Sequence, residues 1–151
     1  MSESLNDTLE NTRQWFEIAV PNPTSKNIST QVGCHLEEVA EMLEAICSVY
    51  KEDDKKIAYL REAIVHVADL IKQNGGIAVK DPNDLLDSIA DQIVTATGVG
   101  TFLGMNVPGA LAEVNRSNYS KFDEDGNPIF NENMKVMKGP HYTKPDLKPY
   151  I

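Results

Sequence analysis

Apolar residues along this chain recur every three to four positions rather than every second one, the signature of amphipathic helices. Five segments carry the pattern. The first runs from about Leu5 to Val20 and stops before Pro21 and Pro23, with the cap-type residues Asn6, Asp7 and Thr8 near its start. The second spans about Ser29 to Tyr50, with Asn27 or Ser29 as its cap. The third spans about Asp53 to Gln73 and ends at Asn74-Gly75-Gly76, a strong stop signal. The fourth runs from about Asn83 to Leu103 behind Asp81-Pro82, where proline is tolerated. The fifth, Pro108 to about Lys121, is short.

The helical period is lost after Lys121. FDEDGNPIFNENMKVMKGPHYTKPDLKPYI holds four prolines and two glycines. Pro128-Ile129-Phe130 and Lys135-Val136-Met137 flank Asn131 to Met134, the arrangement of a small hairpin. The pattern predicts an all-α fold: one domain over residues 1–151, built as a bundle of four to five helices. The helical core covers about 5–121, and an irregular C-terminal arm, 122–151, contains the small β-hairpin.

Composition adds limits. With 151 residues, 41% of them hydrophobic, the chain is long enough to bury a core. A formal net charge of -9 disfavours non-specific nucleic-acid binding, which needs positive charge to displace counterions. The two cysteines, Cys34 and Cys47, fall in the same predicted helix and lie about 20 Å apart along its axis, too far for a disulfide. Free thiols point to a reducing, cytoplasmic setting, the host cytoplasm if the protein is phage-encoded. The start, MSESLNDTLENTRQW, has no signal-peptide core. The uncharged run from Gln92 to Ala112 raises the question of a membrane span, but four Gly, three Thr, an Asn and a Pro read as a helix plus a break.

Candidate chemistry begins at HLEEVAEMLEA, which puts Glu37, Glu38, Glu41 and Glu44 into one predicted helix. On a wheel of ~100° per residue with Glu37 at zero, Glu41 lies near 40°, Glu38 near 100° and Glu44 near 340°. The apolar arc of Val32, Leu36, Val39, Met42, Leu43 and Ile46 centres near 200°, so periodicity predicts a solvated glutamate face. The fourth helix carries Asp84, Asp87 and Asp91 within about 60° of one another. Aspartate is a poor helix former, and Asp87 and Asp91 lie too deep to serve the helix N-terminus. If the two stripes converge, their repulsion calls for a cation, and hard carboxylate oxygens suit Mg²⁺ or Mn²⁺. A di-iron bundle needs Glu-x-x-His pairs, whereas Glu62 and His66 are spaced by four.

Glu37-Glu38-x-x-Glu41, followed by a later acidic helix, resembles the MazG-like all-α nucleoside triphosphate pyrophosphohydrolases of phage and bacterial type. EVNRSNYSKF, the DGNPIF turn and KVMKGPHYTKPDL extend the likeness, which spans roughly Gln31 to Leu147. It implies Mg²⁺ bound by an ExxE and an ExxD, with Mn²⁺ an acceptable substitute, and cleavage of a nucleoside triphosphate to the monophosphate and pyrophosphate. Glu38 and Glu41 match the ExxE, and Asp91 matches the Asp of ExxD. The Glu of that motif falls on Ser88, a departure, with Asp87 as its substitute. Glu37, Glu38 and Glu41 form the catalytic group, in which Glu37 or Glu41 takes a proton from water. Such a base works best with a raised pKa, which crowding by like charge would supply.

The resemblance also assigns phosphate contacts to Asn118 and Lys121, with Arg116 a weaker candidate. It places Trp15 and Phe16 near a base pocket, where one of them would stack on a purine. His35 falls on the apolar arc and reads as a packed histidine; His66 and Asp69 form a surface pair, and His141 lies in the tail within possible reach of a phosphate. The implied substrate is a purine deoxynucleotide, dGTP as the first choice, and the implied assembly is a homodimer or homotetramer, with no membrane or nucleic-acid partner. The alternative of another class is a non-catalytic helical module that binds a nucleotide or a protein, for which Ser88 is the main argument.

Overall fold

The structure, a computed structural model, describes the backbone of residues 5–151 and the side chains from Thr8 onward. Among the described residues five α-helices form in the predicted order: α1 Leu5–Ala19, α2 Ser25–Glu44, α3 Lys51–Asn74, α4 Pro82–Phe102 and α5 Val107–Tyr119. A short 3₁₀ turn, Lys148–Tyr150, ends the chain. The fold is all-α, and no strand forms among the described residues. The expected hairpin is reduced to two pairing bonds: Met137 N–H donates to the Ile129 carbonyl at 2.7 Å, and Asn131 N–H to the Lys135 carbonyl at 3.0 Å. No described helix is long and apolar enough to cross a membrane.

The helix ends show where local chemistry sets the boundaries. The side chains of Asn6 and Asp7, expected near the α1 cap, lie outside the described residues. For α2 the cap is Thr24, not Asn27 or Ser29. Thr24 and Asn27 form a reciprocal capping box, in which Asn27 Oδ1 accepts from Thr24 N–H at 2.9 Å. The helix therefore starts earlier and stops at Glu44, which leaves Cys47 beyond its end rather than in the same helix as Cys34. Both thiols are free. Gly75, at φ 67°, closes α3 in the left-handed conformation that favours glycine. Asp81 caps α4 by accepting from Asn83 N–H at 2.8 Å. The break in the uncharged run comes at Leu103–Asn106, between α4 and α5.

The chain divides into two compact units. Among the described residues the first comprises 5–21, 79–129 and 136–151 and holds α1, α4 and α5. Its hydrophobic cluster is Trp15, Ala19 and Phe122, with Val20 and Val136 packed against it. α1 and α5 are pinned through Asn115, a buried residue that accepts from Thr12 Oγ1 at 2.9 Å and donates to the Thr8 carbonyl at 2.8 Å. The chain after Gly139 then runs back along α5. Gly139 N–H donates to the Lys121 carbonyl, Ser117 Oγ to the Thr143 carbonyl, Asp146 N–H to Glu113, and Asn106 N–H to the Tyr150 carbonyl. The tail is thus an ordered strap over the whole length of α5. By contrast, α4 buries only Gly100, while Leu86, Val94 and Phe102 are 68%, 67% and 92% exposed.

The second unit, 22–78 with 130–135, is the α2–α3 hairpin plus one segment of the arm. The buried residues of α2 are Asn27, Ser29, Thr30, Gly33 and Ala40. They centre at ~335° on the wheel used above, close to Glu37 and well away from the apolar arc. Small residues permit close approach: a Cβ on Gly33 would fall 2.5 Å from Lys72 Cγ and 2.9 Å from the Ala68 carbonyl oxygen. The apolar arc stays partly open, with Met42 and Ile46 exposed. His35, predicted to pack with that arc, is exposed as well.

Candidate active site

The four glutamates of α2 separate into different environments. Glu37 is turned toward α3, where its two oxygens take two lysines. One pairs with buried Lys72, and the other with Lys135 Nζ at 3.1 Å. Lys72 also reaches Asp69 at 3.0 Å. Partial burial pushes the Glu37 carboxyl up, but the hydrogen bonds from Lys72 and then Lys135 outweigh this and hold it below the ordinary carboxylate range. Burial likewise opposes the charge on Lys72, yet Glu37 and Asp69 raise its pKa. Glu44 pairs with Arg61 at 2.7 Å. Glu38 and Glu41 are exposed and engage no hydrogen bond or ion pair among the described residues.

Glu37 thus sits between two ammonium groups. A proton acceptor gains from a raised pKa, and two ammonium groups lower this one. The wheel missed the reason because it located α2's covered side by apolarity, whereas small residues and an ion pair occupy it. Nothing in the sequence spacing announced Lys72 or Lys135 as partners of Glu37. The nearest signal was Gly33, four residues before Glu37, which marks close approach on the same face.

On α4, Asp87 and Asp91 stand one turn apart, exposed, and their carboxylates are unpaired among the described residues. Ser88 is exposed beside them. The pair Glu38/Glu41 thus belongs to the α2–α3 unit and the pair Asp87/Asp91 to the other. Within either unit, no three described His, Cys, Asp or Glu side chains form a metal-binding group. Each pair alone presents hard oxygens at a spacing of three or four on one helix. That donor set fits Mg²⁺ or Mn²⁺ and not a soft metal.

The fold has a solved counterpart. A crystal structure of a candidate NTP pyrophosphohydrolase from Exiguobacterium sp. 255-15 superposes with a TM-score of 0.59 at 19% identity, covering 92% of this chain and 89% of that one. The two proteins share a fold. No protein-family model matches the sequence, and no curated protein matches it.

The remaining expected contacts lie on the first unit. Lys121 Nζ sits 5.6 Å from the centre of the Trp15 ring, so two of the predicted substrate residues are neighbours. Trp15 itself is 5% exposed, and its ring is stacked on Phe122 at 5.8 Å with an interplanar angle of 2°. That makes it a core ring, without an open face for a base. Phe16 meets Trp15 edge-on and is exposed, so it is the ring of the pair that solvent reaches. Asn118 is half-buried with its side-chain amide unpaired among the described residues. Arg116 holds Glu113 at 2.7 Å, Thr143 Oγ1 at 2.7 Å and the Lys144 carbonyl at 3.1 Å. It fastens the tail strap, which sequence reasoning missed, as it missed Asn115 between α1 and α5. His141 pairs with Glu124 at 3.1 Å when protonated.

Proposed function

We propose that this chain is an Mg²⁺-dependent nucleoside triphosphate pyrophosphohydrolase acting on a purine deoxynucleotide, dGTP first among them. The observation that carries the reading is the contrast on α2. Glu37 is committed to Lys72 and Lys135, while Glu38 and Glu41 are left exposed and unpaired on consecutive turns. Carboxylates serving only solubility need no such division. The shared fold with a candidate NTP pyrophosphohydrolase supports the same conclusion.

In this reading Glu38 and Glu41 on α2, and Asp87 and Asp91 on α4, are the carboxylate pairs that would hold Mg²⁺, and the metal would neutralise triphosphate charge and lower the pKa of water. Water oxygen attacks the α-phosphorus, the bond from that phosphorus to the α–β bridging oxygen breaks, and pyrophosphate leaves. The proton lost by water passes to a glutamate. With Glu37 occupied by two lysines, that role falls to Glu41. Asn118 and Lys121 donate to phosphate oxygens, and exposed Phe16, rather than Trp15, offers a face to the base. Assembly as a homodimer or homotetramer belongs to the same proposal. The apolar side of α4, with Leu85, Leu86, Ile89 and Ile93 all exposed in the single chain, is the surface that would be covered.

The test is turnover of the eight common NTPs and dNTPs with Mg²⁺ and with Mn²⁺, scoring pyrophosphate against orthophosphate. Pyrophosphate with one purine preferred is expected. Glu41→Gln should cut turnover about 10²–10⁴-fold at unchanged helix content. Silence of the wild-type chain on all eight would instead favour the non-catalytic binding module.

A further inference from the structure

Lys135 is the residue that neither the expected site nor the strap accounts for. It lies on the short segment 130–135, and that segment is held unusually firmly for a loop. Asn131 Oδ1 accepts from both Asn133 N–H and Lys135 N–H at 3.0 Å. Thr30 Oγ1 donates to the Asn133 carbonyl at 2.6 Å. Met134 takes φ 61°, a left-handed conformation that a side chain this size rarely adopts. Such strain persists only where surrounding bonds fix the backbone, and it collects at working positions.

The side chain is fixed in turn by a chain of charges. Asp69 holds Lys72, Lys72 holds Glu37, and Glu37 holds Lys135. From Lys72 toward Lys135 burial falls: the side chains are 11% exposed at Lys72, 26% at Glu37 and 48% at Lys135. A partly buried ion pair is poor value as a source of stability, because desolvation offsets its attraction; its better use is to fix geometry. The chain ends on an accessible ammonium group. That group lies on the side of α2 where Glu37 stands, and Glu41 follows Glu37 one turn later on the same side of the helix.

We propose that Lys135 is a substrate-contacting residue that meets the triphosphate beside Glu38 and Glu41, and that Glu37 is its positioning residue. The proposal rests on the pyrophosphohydrolase reading for its substrate. Two carboxylates beside the incoming polyanion repel it, and a fixed ammonium group next to them offsets that repulsion at the phosphate oxygens. Glu37 sets the place of the amine through the ion pair at 3.1 Å.

The experiment compares wild type, Lys135→Met, Lys135→Gln, Lys135→Arg and Glu37→Gln by kinetics on dGTP with Mg²⁺ and by calorimetric titration with inorganic tripolyphosphate and Mg²⁺. Melting curves establish that each variant is folded, and Lys135→Gln stands in if the methionine variant is not. Loss of one charge-assisted hydrogen bond should raise KM and the tripolyphosphate Kd about tenfold or more, with a smaller change in kcat. Lys135→Arg should restore most of the loss, and Glu37→Gln should give an intermediate rise. Unchanged KM and Kd in folded Lys135→Met would overturn the proposal and leave Lys135 as a fastening for the loop. If wild type hydrolyses no nucleotide, the pyrophosphohydrolase reading fails by itself. The tripolyphosphate titration then decides on Lys135: a weakened Kd upholds the phosphate contact, and an unchanged one removes it.

Discussion

α2 and α4 are acidic helices of nearly equal length, 20 and 21 residues, and the chain treats them in opposite ways. α2 is covered on its small-residue side, where Ser29, Gly33 and Ala40 are buried and one glutamate is neutralised by lysines. α4 is covered almost nowhere: its acidic residues and its leucines and isoleucines are alike exposed. The difference teaches that apolarity does not say which face a neighbour within the chain will take. α2 gives its small polar face to α3 and keeps part of its apolar arc open. In the assembly proposed above, the exposed apolar stripe on α4 is the surface that another copy would cover.

The largest effect should come from striking α4 where the two helices differ most. Ile93→Asp puts a charge into the exposed apolar stripe without touching the packing of α2 on α3. Light scattering should show the wild-type chain as a dimer or tetramer and the variant at the mass of a single chain. Because an unpaired charge in an apolar interface costs several kcal/mol, partial dissociation is not the expected result. An assembly of unchanged mass would mean that the α4 stripe is not the interface, and the contrast with α2 would lose its explanation.

Gly33→Ala sharpens the other half. The new methyl would meet Lys72 Cγ, which can swing aside, and the Ala68 carbonyl, which cannot without moving α3. A cost of about 1–3 kcal/mol is expected, read as a lower Tm. Lys72 would also be pushed from Glu37, so KM should rise along with the loss of stability. Loss of Tm alone would separate helix packing from the charge chain.

Much of this fold was legible in advance. Five helices, their order and the Gly75 stop followed from period and punctuation, because these are local matters. The division of the glutamates was not legible. It depends on Lys72, thirty-five residues after Glu37, and on Lys135, ninety-eight residues after it. Such partners are set by tertiary packing, and small residues leave no hydrophobic signal. Trp15 illustrates the converse. An aromatic toward the end of a helix reads equally as a stacking platform or a core residue, and only its contact with Phe122 decides.

The smallest predicted effect concerns the strap on α5, where Glu113 and Arg116 are the first unit's counterpart to the Glu37 chain. Glu113 is held down to about 2, first by Arg116 and then by the Asp146 N–H. A carboxyl depressed on folding stabilises the folded state fully above its ordinary value, near 4.5, and that contribution fades as pH falls toward about 2. The strap should therefore loosen over that window and be indifferent to pH above it. The chemical shift and exchange rate of the Asp146 amide proton, followed from pH 6 downward by about four units, report it directly. Glu113→Gln should remove most of this response while leaving the fold and turnover at neutral pH intact, since Ser117 Oγ still donates to the Thr143 carbonyl and Thr143 N–H to Ser120 Oγ. A strap that stays closed to the lowest pH would show that these hydroxyl bonds, and not the Glu113–Arg116 pair, hold the tail.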